Sequence, residues 1–149
     1  VMSATEQATG LSPETKAVVT ATVPVLVDHG LAITTRLYER LFVEHPETEA
    51  LFSGSAPGQA ERLAGAVLAY AANIEQVEAL LPTVQNIAEK HVAAGVQPEH
   101  YDVVGSTFLG SMVDVLGELD TTVVDAWAEA YAFLADIFIS VETEHAAAS

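Results

Sequence analysis

The chain has 149 residues, enough for one domain with a single sizeable core, and half of them are hydrophobic, which excludes a disordered polymer. Its 21 acidic residues face only 5 Lys and Arg, a formal net charge of −16, so it repels phosphate backbones and anionic membranes, which argues against nucleic-acid binding. There is no cysteine, which excludes disulfides, thiolate metal sites and cysteine nucleophiles and fits a cytoplasmic protein.

The longest apolar run, "AGAVLAYAA", falls far short of a membrane span. The start "VMSATEQATG" has neither basic residues nor an apolar segment, so no signal peptide is expected. Two readings of the acidity stand side by side: a host with a salty cytoplasm, or simply an acidic soluble protein.

Residues 1–11 are expected to form a flexible tail, and 12–149 the domain. From there apolar residues recur at three- and four-residue spacing, the helical period. A first helix is predicted over 13–28, started by Pro13 with Ser12 as cap and kinked or ended near Pro24. Gly30 divides it from a second, 31–44, which carries Leu37, Tyr38, Leu41 and Phe42. "EHPETEALF" predicts a short helix from Pro46 to Phe52, and "SGSAPG" at 53–58 a loop. A helix over 59–80 puts Leu63, Val67, Tyr70 or Ala71, and Ile74 on one face. The next, 83–93, follows Pro82 and ends toward Gly95. A longer one from Pro98 to 117 turns Tyr101, Val104, Phe108 and Val115 inward, and the last, 121–145, does so with Trp127, Tyr131, Leu134 and Phe138. The sum is an all-α domain of six to eight unequal helices, which argues against a regular four-helix bundle.

Five polar residues break these inward stripes. His91 follows Val84, Ile87 and Ala88 at helical spacing, so its imidazole faces the core, either as a satisfied core residue or as a ligand. Tyr38 lies one turn before Phe42, where packing alone is the plainer reading. Gln59 starts its helix one turn ahead of Leu63 and by spacing alone reads as a solvated first-turn residue. Glu142 follows Phe138 by four, so its carboxylate either reaches the surface or finds a donor. Tyr101 lies one turn into its helix and by itself says little. No G-x-G-x-x-G, G-x-S-x-G, H-E-x-x-H or P-loop is present.

Taken in order, "TVPVLVDHG", "RLYERLFVEHPE", "LF" at 51–52, "NIE", "ALLPTVQNIAEKH", "HYDVVGSTFLG" and "DAWAEAYAFLADIFISVE" resemble the globin family, and within it the bacterial single-domain haemoglobins and the globin domain of flavohaemoglobins. The resemblance covers about residues 12–144. It implies the globin fold around a haem b pocket. By resemblance His91 is the proximal haem ligand, and Phe52 the aromatic packed on the haem edge. Tyr38 and Gln59 match the distal pair over the sixth coordination position, and Leu63 the apolar residue nearest the bound gas. Tyr101 and Glu142 match the proximal pair that holds the ligand histidine. Lys90 is the best local candidate for a haem propionate. Two departures stand out: Gln59 follows Phe52 by only seven positions, and the chain ends in "VETEHAAAS" where relatives carry another tyrosine.

The chemistry suits these roles. Haem needs one imidazole on one side and an open position on the other to bind gas. A phenol and an amide stabilise the partial negative charge of bound O₂. A carboxylate accepting the other ring N–H of His91 fixes its tautomer and adds anionic character.

The function implied is O₂ binding at ferrous iron, supporting dioxygenation of nitric oxide to nitrate with a separate flavin reductase. The alternatives are a non-catalytic O₂ binding and delivery protein and the globin portion of a longer flavohaemoglobin; a sensor, or a haem-free protein that kept the fold, stands behind them. The implied partners are O₂, NO and CO as gaseous ligands and the reductase, with no nucleic acid and no membrane span; a homodimer is compatible.

Overall fold

The computed structural model describes residues 11–52 and 58–148, with side-chain surroundings given as far as 145. The expected tail therefore lies outside the described residues except for Leu11, which packs partly buried against the core. The loop at 53–57 also lies outside them. All regular elements among the described residues are helical: α1 (Pro13–Ala21), α2 (Val23–Glu44), a 3₁₀ segment (Pro46–Phe52), α3 (Gln59–Ala72), a second 3₁₀ segment (Val77–Leu80), α4 (Leu81–Ala94), α5 (Pro98–Leu116) and α6 (Thr121–Ala148).

Local chemistry explains the boundaries. Ser12 caps α1, its hydroxyl oxygen accepting from the Thr15 amide, with Pro13 in the first turn where a missing N–H costs nothing. α4 ends at Gly95, whose φ of 90° is a left-handed cap that glycine adopts without Cβ strain. α5 opens on a reciprocal cap in which the Gln97 amide donates to His100 Nδ1 at 2.8 Å.

The first break lies near Pro24, as expected, and not at Gly30. It falls at Thr22, where α1 and α2 meet at 67°. The Thr22 hydroxyl donates to the Val19 carbonyl at 2.6 Å and accepts from Trp127 Nε1 at 3.1 Å, so a bond from a distant helix pins the corner. Pro24 then sits in the first turn of α2, where proline is tolerated. Gly30 is buried within α2, and a Cβ there would lie 3.9 Å from the Ala64 Cβ, so the glycine serves close helix approach rather than a boundary.

The predicted helix 59–80 is also divided. α3 stops at Ala72, where Asn73 Nδ2 donates to the Ala69 carbonyl at 2.8 Å, competing with helix continuation. Ile74 nevertheless stays buried as periodicity predicts.

Two apolar clusters result. The larger gathers Val19, Leu26, Ile33, Leu37, Leu41, Tyr70, Phe108, Met112 and Trp127 from α1, α2, α3, α5 and α6. The smaller joins α4 to α6 through Val84, Ala88 and Phe138. Leu134 borders both. Among the described residues no single helix is long and apolar enough to cross a membrane.

Candidate functional site

His91 stands in the last turn of α4, in ring contact with Phe138 at 5.5 Å between centroids. Three elements converge behind it. Its Nδ1 lies 2.8 Å from Glu142 Oε2 on α6 and 2.9 Å from the Tyr101 hydroxyl on α5. The Tyr101 hydroxyl donates to the same Glu142 oxygen at 2.5 Å. Burial, with the bond to Glu142 and its charge adding, holds the Tyr101 phenol far above its ordinary range, so it stays a donor. Glu142 is 8% exposed, and a carboxylate so placed needs donors. The network therefore assigns the proton of His91 to Nδ1, donating to Glu142, and leaves Nε2 with its lone pair open on the opposite side.

Tyr101 is itself held. Its ring stacks on Phe138 at 6.2 Å and 23°, and its carbonyl accepts from the Tyr131 hydroxyl at 2.6 Å. Tyr131 crosses α5 at Gly105, where an added Cβ would stand 2.6 Å from its ring.

On α2, Tyr38 forms an aromatic triad with Phe42 and Phe52, with centroids 5.4 to 5.8 Å apart. Phe52 ends the first 3₁₀ segment, where its ring meets Tyr38, and Gln59 begins α3. The two helices are tied there: the Thr34 hydroxyl, one turn before Tyr38, donates to the Ala60 carbonyl at 2.7 Å. Burial pushes the Tyr38 phenol up, opposed by the charge of Arg62. Tyr38, Phe42, Phe52 and Leu63 pack on the core yet remain only partly buried, and Gln59 is partly buried as well. Lys90 is exposed beside His91 on α4.

These residues fit the haem that the resemblance implies. Among the described residues no group of three or more His, Cys, Asp or Glu could hold a metal ion, so a metal on His91 must bring its other donors with it, as a porphyrin does. The incompletely covered aromatic and aliphatic side chains offer the apolar surface such a group needs.

Periodicity turned Tyr131 inward but gave no hint of its bond to the Tyr101 backbone. It also passed over Arg62 and Gly105. The signal for Arg62 was there: a cation one turn after Gln59 in a chain with only five Lys and Arg. Gly105 had none, because the tyrosine it accommodates comes from another helix.

Comparison with known proteins agrees with this architecture. The chain is 44% identical over 136 residues to the flavohemoprotein of Halalkalibacterium halodurans, covering 89% of this chain and 33% of that protein. It is 47% identical over 136 residues to the flavohemoprotein of Bordetella parapertussis, covering 89% and 34%. It thus spans about a third of the length of these curated relatives. Among solved structures it is similar to an engineered carbene transferase described as a candidate nitric oxide dioxygenase of Rhodothermus marinus (37% identity, TM-score 0.87, 93% of this chain and 97% of that one). It is also similar to a bacterial globin from Campylobacter jejuni (31% identity, TM-score 0.83, 89% and 97%). A flavohemoglobin of Malassezia yamatoensis with bound FAD and heme matches at 27% identity and TM-score 0.72, over 93% of this chain and 38% of that one. Residues 35–138, more than half of the chain, match the family described as Globin, and the chain belongs to the globin family.

Proposed function

We propose that the chain holds haem b on Nε2 of His91 and serves the dioxygenation of nitric oxide to nitrate, drawing electrons from a flavin reductase that is either a separate protein or a further part of a longer chain. When bound, haem supplies the iron at which O₂ is taken up and NO is oxidised. The observation that carries the reading is the triad behind His91. Glu142 accepts from His91 Nδ1 while Tyr101 fixes the carboxylate, so the imidazole is oriented and made a stronger electron donor. Strong donation favours redox chemistry on O₂ over carriage alone.

The Tyr38 phenol would be the donor to a partly negative ligand of the haem, with the Gln59 amide as a second. Tyr38 remains protonated because burial disfavours its phenolate, so it can donate throughout the physiological range. Phe42, Phe52 and Leu63 exclude water. Lys90 is the proposed propionate partner on the α4 side. The names of the relatives support the reading: flavohemoproteins, and a structure described as a candidate nitric oxide dioxygenase.

Absorption spectra of the ferric, ferrous and CO-bound forms test the haem, its axial ligand and the open position together; His91→Ala should abolish the five-coordinate ferrous spectrum. Rapid mixing of the O₂-loaded protein with NO tests the reaction. Stoichiometric nitrate within the mixing time is expected, whereas slow or absent nitrate would leave O₂ binding and delivery as the function.

A further inference from the structure

Residues 95–97 join the helix that carries His91 to the helix that carries Tyr101. Two consecutive amides of this corner bond in opposite directions along the chain. The Val96 N–H donates back to the His91 carbonyl at 3.0 Å, and the Gln97 N–H donates forward to His100 Nδ1 at 2.8 Å. The His100 N–H returns a bond to the Gln97 carbonyl at 3.0 Å. Tyr101, the next residue, is gripped from its other side by the Tyr131 hydroxyl on its carbonyl. A backbone N–H is always a donor, so Nδ1 of His100 is an unprotonated acceptor. A capping box ordinarily uses Glu or Gln at this position, and imidazole is the variant that loses its acceptor with one proton. Glu99 and Asp102 flank His100 on α5. α4 ends on exposed Glu89 and Lys90 and on His91; α6 brings Glu142, which is engaged with His91 and Tyr101, and beyond it exposed Glu144 and His145. Among the described residues no carboxylate oxygen lies within 4.0 Å of a His100 ring nitrogen, so no ion pair compensates a proton gained there.

We infer that His100 is a positioning residue for the triad behind His91: its neutral ring fixes the corner that sets Tyr101 against His91 and Glu142, and a proton on that ring releases it. The proton turns Nδ1 from acceptor to donor, facing the Gln97 N–H. It also puts a cation in the first turn of a helix, where the macrodipole opposes it. Both effects act in the same direction. Imidazole ordinarily changes charge between about pH 5 and 8, so the grip is complete at the upper end of that range and is lost as the pH falls. The Tyr101 hydroxyl lies 2.9 Å from His91 Nδ1 and 2.5 Å from Glu142 Oε2, and hydrogen bonds weaken steeply once their alignment is lost. The inference rests on the proposed function in taking His91 as the iron ligand; the bond from Gln97 to His100 does not depend on it.

The test compares the haem-loaded parent with His100→Ala and His100→Gln from about pH 5 to 8. Glutamine keeps the acceptor of an ordinary capping box and takes no proton. Protection of the Gln97 amide against hydrogen exchange is read by NMR in the CO-bound ferrous form. It should fall about fivefold in the parent as the His100 ring takes its proton, stand low at every pH in His100→Ala and stay high in His100→Gln. The iron–histidine stretch of the ferrous form, read by resonance Raman, should move with pH in the parent at the midpoint of the His100 ring resonances. It should hold one value in His100→Gln and another in His100→Ala. A role in helix stability alone opens the amide and leaves the stretch unmoved, and that result overturns the inference. So does a pH dependence of the stretch that survives in His100→Gln, or a Gln97 amide equally protected in all three proteins. Should His100→Ala not fold, the parent and His100→Gln still give the comparison. A protein that shows no Soret band with added haem fails the proposed function instead. The Gln97 amide and the Tyr101 hydroxyl proton are then followed in the haem-free protein, and a hydroxyl proton that does not respond to His100 refutes the positioning role.

Discussion

Gly105→Ala sets two effects of opposite sign against each other. In a helix interior, alanine for glycine is worth about 0.5–1 kcal/mol of stabilisation from backbone entropy. Here the added Cβ would stand 2.6, 2.9 and 3.2 Å from Cε2, Cδ2 and Cζ of Tyr131, where ordinary carbon contacts begin near 3.4 Å. The ring cannot swing away freely, because its hydroxyl is bonded to the Tyr101 carbonyl at 2.6 Å and the residue is partly buried. Overpacking of this kind costs about 1–3 kcal/mol, and loss of the hydrogen bond about 1 kcal/mol more. The net expectation is destabilisation by about 1–3 kcal/mol. Urea unfolding followed by circular dichroism measures it, with an unchanged slope showing that the same surface is exposed. In a Tyr131→Leu background the clash is removed, and Gly105→Ala should then be neutral or stabilising. A Gly105→Ala protein more stable than its parent with Tyr131 in place would refute the steric reasoning.

Four other outcomes follow from the structure. Thr22→Val leaves the buried Trp127 N–H without its acceptor at the α1–α2 corner and should cost about 1–3 kcal/mol, with a shift in tryptophan emission; unchanged stability and emission would count against the pinned corner. Glu142→Gln keeps an acceptor of similar shape but removes the charge assistance, so the iron–histidine stretch of the ferrous haem protein should fall in resonance Raman spectra and NO dioxygenation should slow; an unaltered stretch would contradict the carboxylate's part in electron donation. Tyr38→Phe removes the phenol donor, and O₂ should leave at least about tenfold faster in stopped-flow measurements; an unchanged rate would remove Tyr38 from the distal role. Finally, the net charge of −16 predicts a rising melting temperature from dilute buffer to molar salt as self-repulsion is screened, and a flat curve would show that the acidic residues are too dispersed to matter.

Most of the helical framework was legible in the chain itself. Prolines at 13, 82 and 98 stand in first turns, and three- and four-residue spacing identified faces whose residues, such as Trp127, Phe138 and Ile74, are buried. Spacing also singled out His91, Glu142 and Tyr101 as polar groups on apolar faces. What it could not supply was their meeting. They come from α4, α6 and α5, up to 51 positions apart, and only packing closes the separation to 2.8 Å. The same limit explains the misplaced break at Gly30. Pro24 marked the first corner to within two residues, while the bond that pins it at Thr22 comes from Trp127, 105 positions away. Gly30 reads locally as a breaker but serves the approach of α3. The sequence by itself determined that an imidazole would face the core of a helical domain. The tertiary structure alone decided which ring nitrogen of that imidazole meets Glu142 and Tyr101, because hydrogen bonds between helices depend on distances that no local propensity encodes.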